Sequence, residues 1–321
     1  MKFPLPRLAF LLPFLALGLR AEPITLRVGY FPNITHAQGI IGRETTREQK
    51  GWFEQRLGPE VTVQWYAYNA GPSAMEAIFA GSIDLTYVGP SPALNAYLRS
   101  EGDEIRVLAG AAEGGAALVV AGDGSITKPA DFKGKRLATP QLGNTQDVAA
   151  RSWLKQQGLH VTMTGGDVMV LPTANPDQLL LFQRHKIDAV WTVEPWVSRL
   201  ELDAGGHVFL AQDDAITTIL VSSVKFLKQH PALAAKFKAA HAELTAWINA
   251  HPEEAQALVR KGLSADTHSN VPAALVASSW RRLHFTDQVS PDRFASLVRD
   301  AQSVGFLRNA IPLDRMFSSA P

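Results

Sequence analysis

The chain has 321 residues, 46% hydrophobic and 19% charged, with 31 basic against 30 acidic residues and a formal charge of +1. That balance excludes a disordered or fibrous chain and gives no electrostatic footprint for a nucleic-acid partner. With 0 cysteines, no disulfide, thiol nucleophile, lipid-bearing cysteine or cysteine-based metal site is available.

Met1 to Ala21 places Lys2 and Arg7 before an apolar run from Leu8 to Leu19, then Leu-Arg-Ala ahead of Glu22. This is the layout of a secretory leader, too short and too terminal for a permanent span. Cleavage after Ala21 also removes Arg20 and leaves 28 basic against 30 acidic residues, a charge near −2. The expectation is a soluble exported protein, most naturally periplasmic in a Gram-negative bacterium.

Ile24 to Tyr30 alternates as a strand and breaks at Phe31-Pro-Asn-Ile-Thr-His36. Val61 to Tyr66 reads as a second strand, and Gly71-Pro72 then opens a helix that turns Met75, Ile78 and Phe79 inward. Ser73, in its first turn, offers a hydroxyl and a backbone N–H to an anion. A strand over Asp84 to Val88 ends at Gly89-Pro90-Ser91-Pro92, where Ser91 suits an N-cap, Pro92 the first helical position, and Gly89 lets backbone approach a ligand. Ile105 to Gly115 and Ala116 to Ala121 read as consecutive strands, with Glu113-Gly-Gly115 between them as a crossover into a second lobe.

Ile126 to Leu159 organises that second lobe. Lys135 to Thr139 reads as a short strand, and Val148, Ala149, Trp153 and Leu154 form the apolar stripe of a helix. Between them Pro140-Gln-Leu-Gly-Asn-Thr145 delivers Asn144 or Thr145 as an N-cap, with Asp147 placed as a short-armed capping-box partner. First-turn N–H groups are left pointing out of the helix start, which suits a small anion. A strand near Val168 to Leu171 follows, then a helix begun by Asn175-Pro176-Asp177 with Asn175 as N-cap, and a strand over Asp188 to Val193 that carries Trp191 and leads to Trp196. A return crossover is expected near Asp213 to Ser222, where Thr217 and Thr218 face the cleft. Beyond it, 225–230, 231–250, 252–261, 273–283 and 292–304 read as helices.

An internal echo ties the lobes together. Ala77 to Pro92 and Leu180 to Trp196 share an order: a helix end with Phe, then Ile-Asp, a short apolar strand, and a Pro suited to start a helix. Two α/β lobes of similar plan aiming helix starts at one cleft make a ligand trap that closes by hinge motion.

The run from Asn69 to Pro92, NAGPSAMEAIFAGSIDLTYVGPSP, resembles the signature of the sulfonate, nitrate and taurine group of periplasmic substrate-binding proteins of ABC importers. Ile126 to Gly158 and Ile187 to Trp196 continue the resemblance in the same order. It implies an α/β, bilobed periplasmic-binding-protein fold (type II), with residues 22–115 as the first part of lobe 1, 116–215 as lobe 2 and 216–321 as the return to lobe 1. It implies a monomeric binding protein, not an enzyme, that passes a small organic anion, an aliphatic sulfonate or taurine-like compound, to an ABC permease. Nitrate, a thiamine-precursor-like pyrimidine, or an enzyme of the same fold acting on a small acid are the alternatives. No cofactor or metal is expected: nucleophile-elbow, Walker and His-Glu-x-x-His patterns are missing, and the 9 histidines are scattered.

Residue pattern and resemblance together give the candidate site. Tyr30 and Phe31 are expected as walls and Asn33 and His36 as donors, with Gly71, Ser73, Gly89, Ser91 and Gly115 from the first lobe. Gln141, Gly143, Asn144, Thr145, Trp191 and Glu194 come from the second lobe and Thr217 from the return. No Arg or Lys lies in these loops, so charge recognition falls to helix starts and neutral side chains. At Glu194 relatives tend to read Trp-Asp-Pro, whereas this chain reads Trp191-Thr-Val-Glu194-Pro195. Either Glu194 meets an amine on the ligand, or it turns away and complements the following helix.

Overall fold

The structure is a computed structural model that describes residues 23–308 and 312–318, so the expected leader lies outside the described residues. The alternating strand β1 (Ile24–Tyr30) runs through a 3₁₀ turn (Ile34–His36) into α1 (Ala37–Arg47) and α2 (Glu54–Leu57). Then come β2 (Val61–Ala67), α3 (Gly71–Phe79), β3 (Leu85–Val88), α4 (Pro90–Arg99) and β4 (Ile105–Gly114). The next group is β5 (Ala116–Ala121), β6 (Arg136–Thr139), α5 (Thr145–Gln156), β7 (Met169–Pro172), α6 (Asn175–Gln183), β8 (Ala189–Val193), α7 (Trp196–Ala204) and β9 (Gly206–Gln212). The chain returns through β10 (Ile216–Ser223), α8 (Val224–Gln229), α9 (Pro231–Ala250), α10 (Pro252–Thr267), α11 (Ala273–Trp280), β11 (Leu283–Phe285) and α12 (Phe294–Ser303).

These strands make a 6-stranded sheet, β11-β4-β10-β3-β1-β2, and a 5-stranded sheet, β7-β6-β8-β5-β9. In each, the strands that alternate with helices are parallel (β1 with β2 and β3; β6 with β7 and β8). The strands flanking the passages between sheets, β4 and β10 in one and β5 and β9 in the other, pair antiparallel. Helices cover both sheet faces, so each lobe buries an apolar cluster on either side, as doubly wound sheets require.

The Ile-Asp echo has a physical cause. Asp84 accepts from the backbone N–H and Nε of Arg27 at 2.9 and 3.0 Å, and Asp188 accepts from the same two groups of Arg136 at 2.8 and 3.0 Å. Each carboxylate locks the turn before one strand to the neighbouring parallel strand, so the two lobes share a device as well as a plan.

Three details, two of them in the return segment and one at the start of α6, differ from the sequence reading. The helix expected over 273–283 stops at Trp280, and Leu283–Phe285 becomes an edge strand on β4. The one expected over 252–261 runs on to Thr267, because Gly262 is a packing glycine: a Cβ there would stand 2.5 Å from Cγ2 of Ile40 on α1. Asn175 is the first residue of α6, whose cap is Ala174.

His241 lies fully buried under the first sheet, with Nε2 2.8 Å from the Gly110 carbonyl and Nδ1 3.0 Å from the Tyr87 hydroxyl. The carbonyl can only accept, so Nε2 carries the proton and Tyr87 donates to Nδ1. Burial pushes the imidazole down to about 4. A base with a depressed folded pKa adds stability that is present above its unfolded value and lost as pH falls toward the folded one. Between neutral pH and pH 5 the protein is therefore expected to lose about 2 kcal/mol through this one group. Urea melts of the wild type and His241→Gln, compared at both pH values, check this; an equal acid loss in the variant removes His241 as the cause.

Candidate ligand-binding cleft

Five helix starts meet between the lobes. The 3₁₀ turn contributes Thr35 and His36, α3 Gly71, α4 its cap Gly89, α5 Asn144, Thr145 and Gln146, and α6 Asn175, all lining one cavity of about 30 Å³. Every start sits at the C-terminal end of a strand, where α/β sheets gather ligands. First-turn N–H groups have no acceptor within their own helix, so the cavity receives several partial positive charges at once. None of its lining residues is Lys, Arg, Asp or Glu.

The side chains sharpen this polarity. Asn33 Oδ1 accepts from Trp196 Nε1 at 3.0 Å, Asn175 Oδ1 from Thr192 Oγ1 at 3.1 Å, and Gln146 Oε1 from Asn144 Nδ2 at 3.0 Å. Each amide oxygen is used inside the protein, which leaves the NH₂ groups of Asn33, Gln146 and Asn175 to face a ligand as donors. Asn144 Oδ1 caps α5 by accepting from Asp147 N at 2.8 Å. His36 Nδ1 accepts from Phe31 N at 3.4 Å, its ring stacks on Phe31 with centroids 4.3 Å apart, and burial pushes its pKa down to about 3. The ring is neutral with its proton on Nε2, one more donor. The wall is rich in N–H and poor in free acceptors, and it suits a ligand that only accepts.

Full charges stand behind the wall. Asp147 is fully buried, yet its oxygens take Thr139 Oγ1 and Gly143 N, each at 2.9 Å, and Arg151 Nε at 3.1 Å. Lobe-to-lobe contacts close the cleft: Thr145 Oγ1 accepts from Ser91 N at 3.3 Å, and Glu194 O from Ile34 N at 3.1 Å.

Of the expected residues, Phe31, Asn33, His36, Gly71, Gly89, Asn144, Thr145 and Thr217 line the cavity. Asn144, and not Thr145, is the cap of α5. Gln141 and Gly143 lie behind it in the same loop; Gly143 adopts φ 75° and donates to Asp147. Gly115, at φ 69°, sits at the passage between sheets beside Leu283 and Glu194.

Others are elsewhere for identifiable reasons. Tyr30 is buried under lobe 1, its hydroxyl 2.6 Å from Asp266. The Ser73 hydroxyl turns back to Ala70 O at 2.8 Å. Ser91 is not the cap of α4; Gly89 is, with Pro90 first, and Ser91 faces an adjoining cavity toward α12. Trp191 lies mid-strand in the core of lobe 2, its Nε1 bonded to Gln212 at 2.9 Å, while Val193 at the strand end reaches the cleft. Glu194 is fully buried and accepts from Ser198 N (3.1 Å), Ser198 Oγ (2.9 Å), Ser279 Oγ (3.0 Å) and Arg282 (2.9 Å). Burial raises its pKa above the usual carboxylate value, and the Ser198 N–H and Arg282 work against that rise. With four donors already in place it has no room for a ligand amine; it holds the start of α7 and ties it to Arg282.

Thr35, Asn69, Gln146 and Asn175 line the cavity without having been expected. Each stands within two residues of a helix start, the one signal that pointed to them.

Comparison with known proteins comes to the same architecture. The alkanesulfonate-binding protein SsuA from Xanthomonas axonopodis pv. citri, solved bound to MOPS, superposes with a TM-score of 0.72 at 21% identity, covering 90% of this chain and 96% of that one. The periplasmic aliphatic sulphonate binding protein SsuA from Escherichia coli gives 0.67 at 23%, covering 88% and 94%. At these identities the likeness is one of fold. The taurine-binding periplasmic protein of Escherichia coli (strain K12) is 26% identical over 187 residues, 58% of this chain and 53% of that protein. Residues 20–263, most of the chain, match one family along their whole length, and the protein belongs to that family, the NMT1-like family.

Proposed function

We propose that this protein is an exported solute-binding protein that closes its lobes on a small organic anion, an aliphatic sulfonate or taurine-like compound, and presents the closed form to an ABC permease in the inner membrane. The observation that carries the reading is the wall of donors: helix starts, three amide NH₂ groups and a neutral imidazole, with no charged side chain among the lining residues. A sulfonate accepts at every oxygen and donates at none, so it can satisfy such a wall without leaving a buried acceptor unpaired. The relatives named for sulfonates and taurine support the same reading, and so does the leader expected over Met1 to Ala21. On this reading the bound acid is held and released unchanged, in keeping with relatives named as binding proteins.

Competition calorimetry with alkanesulfonates, taurine, nitrate and phosphonates tests it. Alkanesulfonates are expected to bind saturably without product formation, and with affinity changing less than about threefold from pH 5 to 8, because His36 stays neutral throughout. A tenfold gain on acidification would show a charged His36 at the site. Binding of a pyrimidine-like cation in place of every oxyanion would overturn the proposal. Because Glu194 is spent on α7 and Arg282, Glu194→Gln is expected to leave the ratio of taurine to ethanesulfonate affinity unchanged.

A further inference from the structure

A second cavity of about 290 Å³ adjoins the first and shares Asn33, Asn69 and Asn175 with it. Its walls are apolar where they come from Pro32, Pro176, Pro195, Trp196, Leu263 and Val271. The three asparagines stand between a polar chamber fit for an anionic head and a larger apolar chamber fit for a hydrocarbon tail. One charged group on the wall of the larger chamber makes no ion pair among the described residues. Arg199 lies on its wall with Nε buried and without a hydrogen-bond partner, and its guanidinium stands over the Trp196 ring at 5.2 Å. Of the carboxylates near it in sequence, Glu194 and Glu201 are taken by Arg282, while Asp203, one turn along α7, lines a separate cavity with Arg199 and makes no ion pair with it. The hydroxyl of Thr267 bonds to Leu263 O at 2.8 Å and meets Ser269 Oγ at 2.7 Å, so those polar groups are occupied.

A guanidinium 5.2 Å from an indole ring centre, on the wall of an apolar chamber and without an ion pair, presents its remaining N–H donors as a fork for an acidic group. We propose that the ligand is two-ended: its sulfonate lies among the helix starts, its hydrocarbon passes between the three asparagines, and a second acidic group at its far end pairs with Arg199. This rests on the anion reading above and narrows it to the class of sulfonates that carry a terminal carboxylate or second sulfonate.

The test is calorimetry of the full-length mature protein with two homologous series of equal chain length. One is methyl-ended alkane-1-sulfonates, and the other the same chains ending in a carboxylate, from two to six carbons, with 4-sulfobenzoate as a rigid member. At one spacer length the carboxylate-ended ligand is expected to bind at least about tenfold more tightly than its methyl-ended partner. In Arg199→Met that ratio should fall to near one. Arg199→Lys should keep part of it and make it more salt-sensitive, since an ammonium offers a point charge without the fork. A ratio at or below one at every length in the wild type overturns the two-ended ligand and leaves the sulfonate reading standing. A preference that survives Arg199→Met also overturns it, by placing the second acid elsewhere. Failure of both series to bind overturns the sulfonate reading and this inference together.

Discussion

Replacing Gly89 by alanine is expected to weaken ligand binding about a hundredfold, about 2.7 kcal/mol, while the melting temperature of the free protein hardly moves. The backbone has no objection: Gly89 has φ −66°, ψ 151°, which any residue adopts. The obstacle lies across the cleft. A Cβ at Gly89 would stand 2.4 Å from Thr145 Oγ1, at the start of α5 in the other lobe, where the same hydroxyl accepts from Ser91 N. Overpacking of this size costs about 1–3 kcal/mol when the structure must absorb it, and here the lobes escape by standing apart. Alanine therefore acts as a wedge against closure, and the loss falls on binding. Thr145→Ala should restore part of the affinity in the double variant, since the clash with the Thr145 Cβ is looser, at 3.4 Å. Calorimetry gives the affinities, and small-angle scattering with ligand should show the Gly89→Ala protein expanded. Wild-type affinity in Gly89→Ala would mean that the lobes do not need this approach.

The residues that could be read from sequence are those whose role is local. Strand alternation, helix stripes and the two passages between sheets are written in neighbouring residues, and so is the Asn144 cap, because a cap is a contact between residues three apart. What was hidden depends on partners far away in the chain. Asn175 looked sufficient as a helix-starting residue; that its Oδ1 is consumed by Thr192, turning the amide donor-side out, is decided 17 residues later. Trp191 and Glu194 sit in a motif of the right order, yet Gln212 and Arg282 claim them. The three-residue strand Leu283–Phe285 has no period of its own and exists because β4 offers an edge. The guanidinium of Arg199 reads as an ordinary helix-surface charge until Leu263 and Val271, brought in by the return segment, enclose the space before it.

The largest loss of stability should come from Asp147→Asn. Asp147 and Arg151 are 0% and 2% exposed, one turn apart on α5, and almost nothing in their surroundings is wet. The carboxylate binds the strand through Thr139, the loop through Gly143 and the helix through Arg151, whose guanidinium continues to Thr162 O at 2.7 Å and Val170 O at 3.4 Å. Asparagine keeps one accepting oxygen, which can serve Thr139 or Gly143 but not both, and it leaves the arginine charge buried with carbonyls alone. Breaking a buried pair in this way costs about 3–5 kcal/mol, whereas removing both charges together costs much less. Asp147→Asn with Arg151→Met should therefore be more stable than Asp147→Asn alone, although it carries one more substitution. The pair also explains how an anion site tolerates a carboxylate so close behind it: the arginine cancels the charge at one turn's distance, and the helix start presents only its dipole to the cleft. Urea melts of the single and double variants decide the point. A single-variant loss under about 1 kcal/mol, or a double variant no better than the single, would mean that water reaches Arg151 and that the charge behind the loop is screened by solvent instead of by its partner.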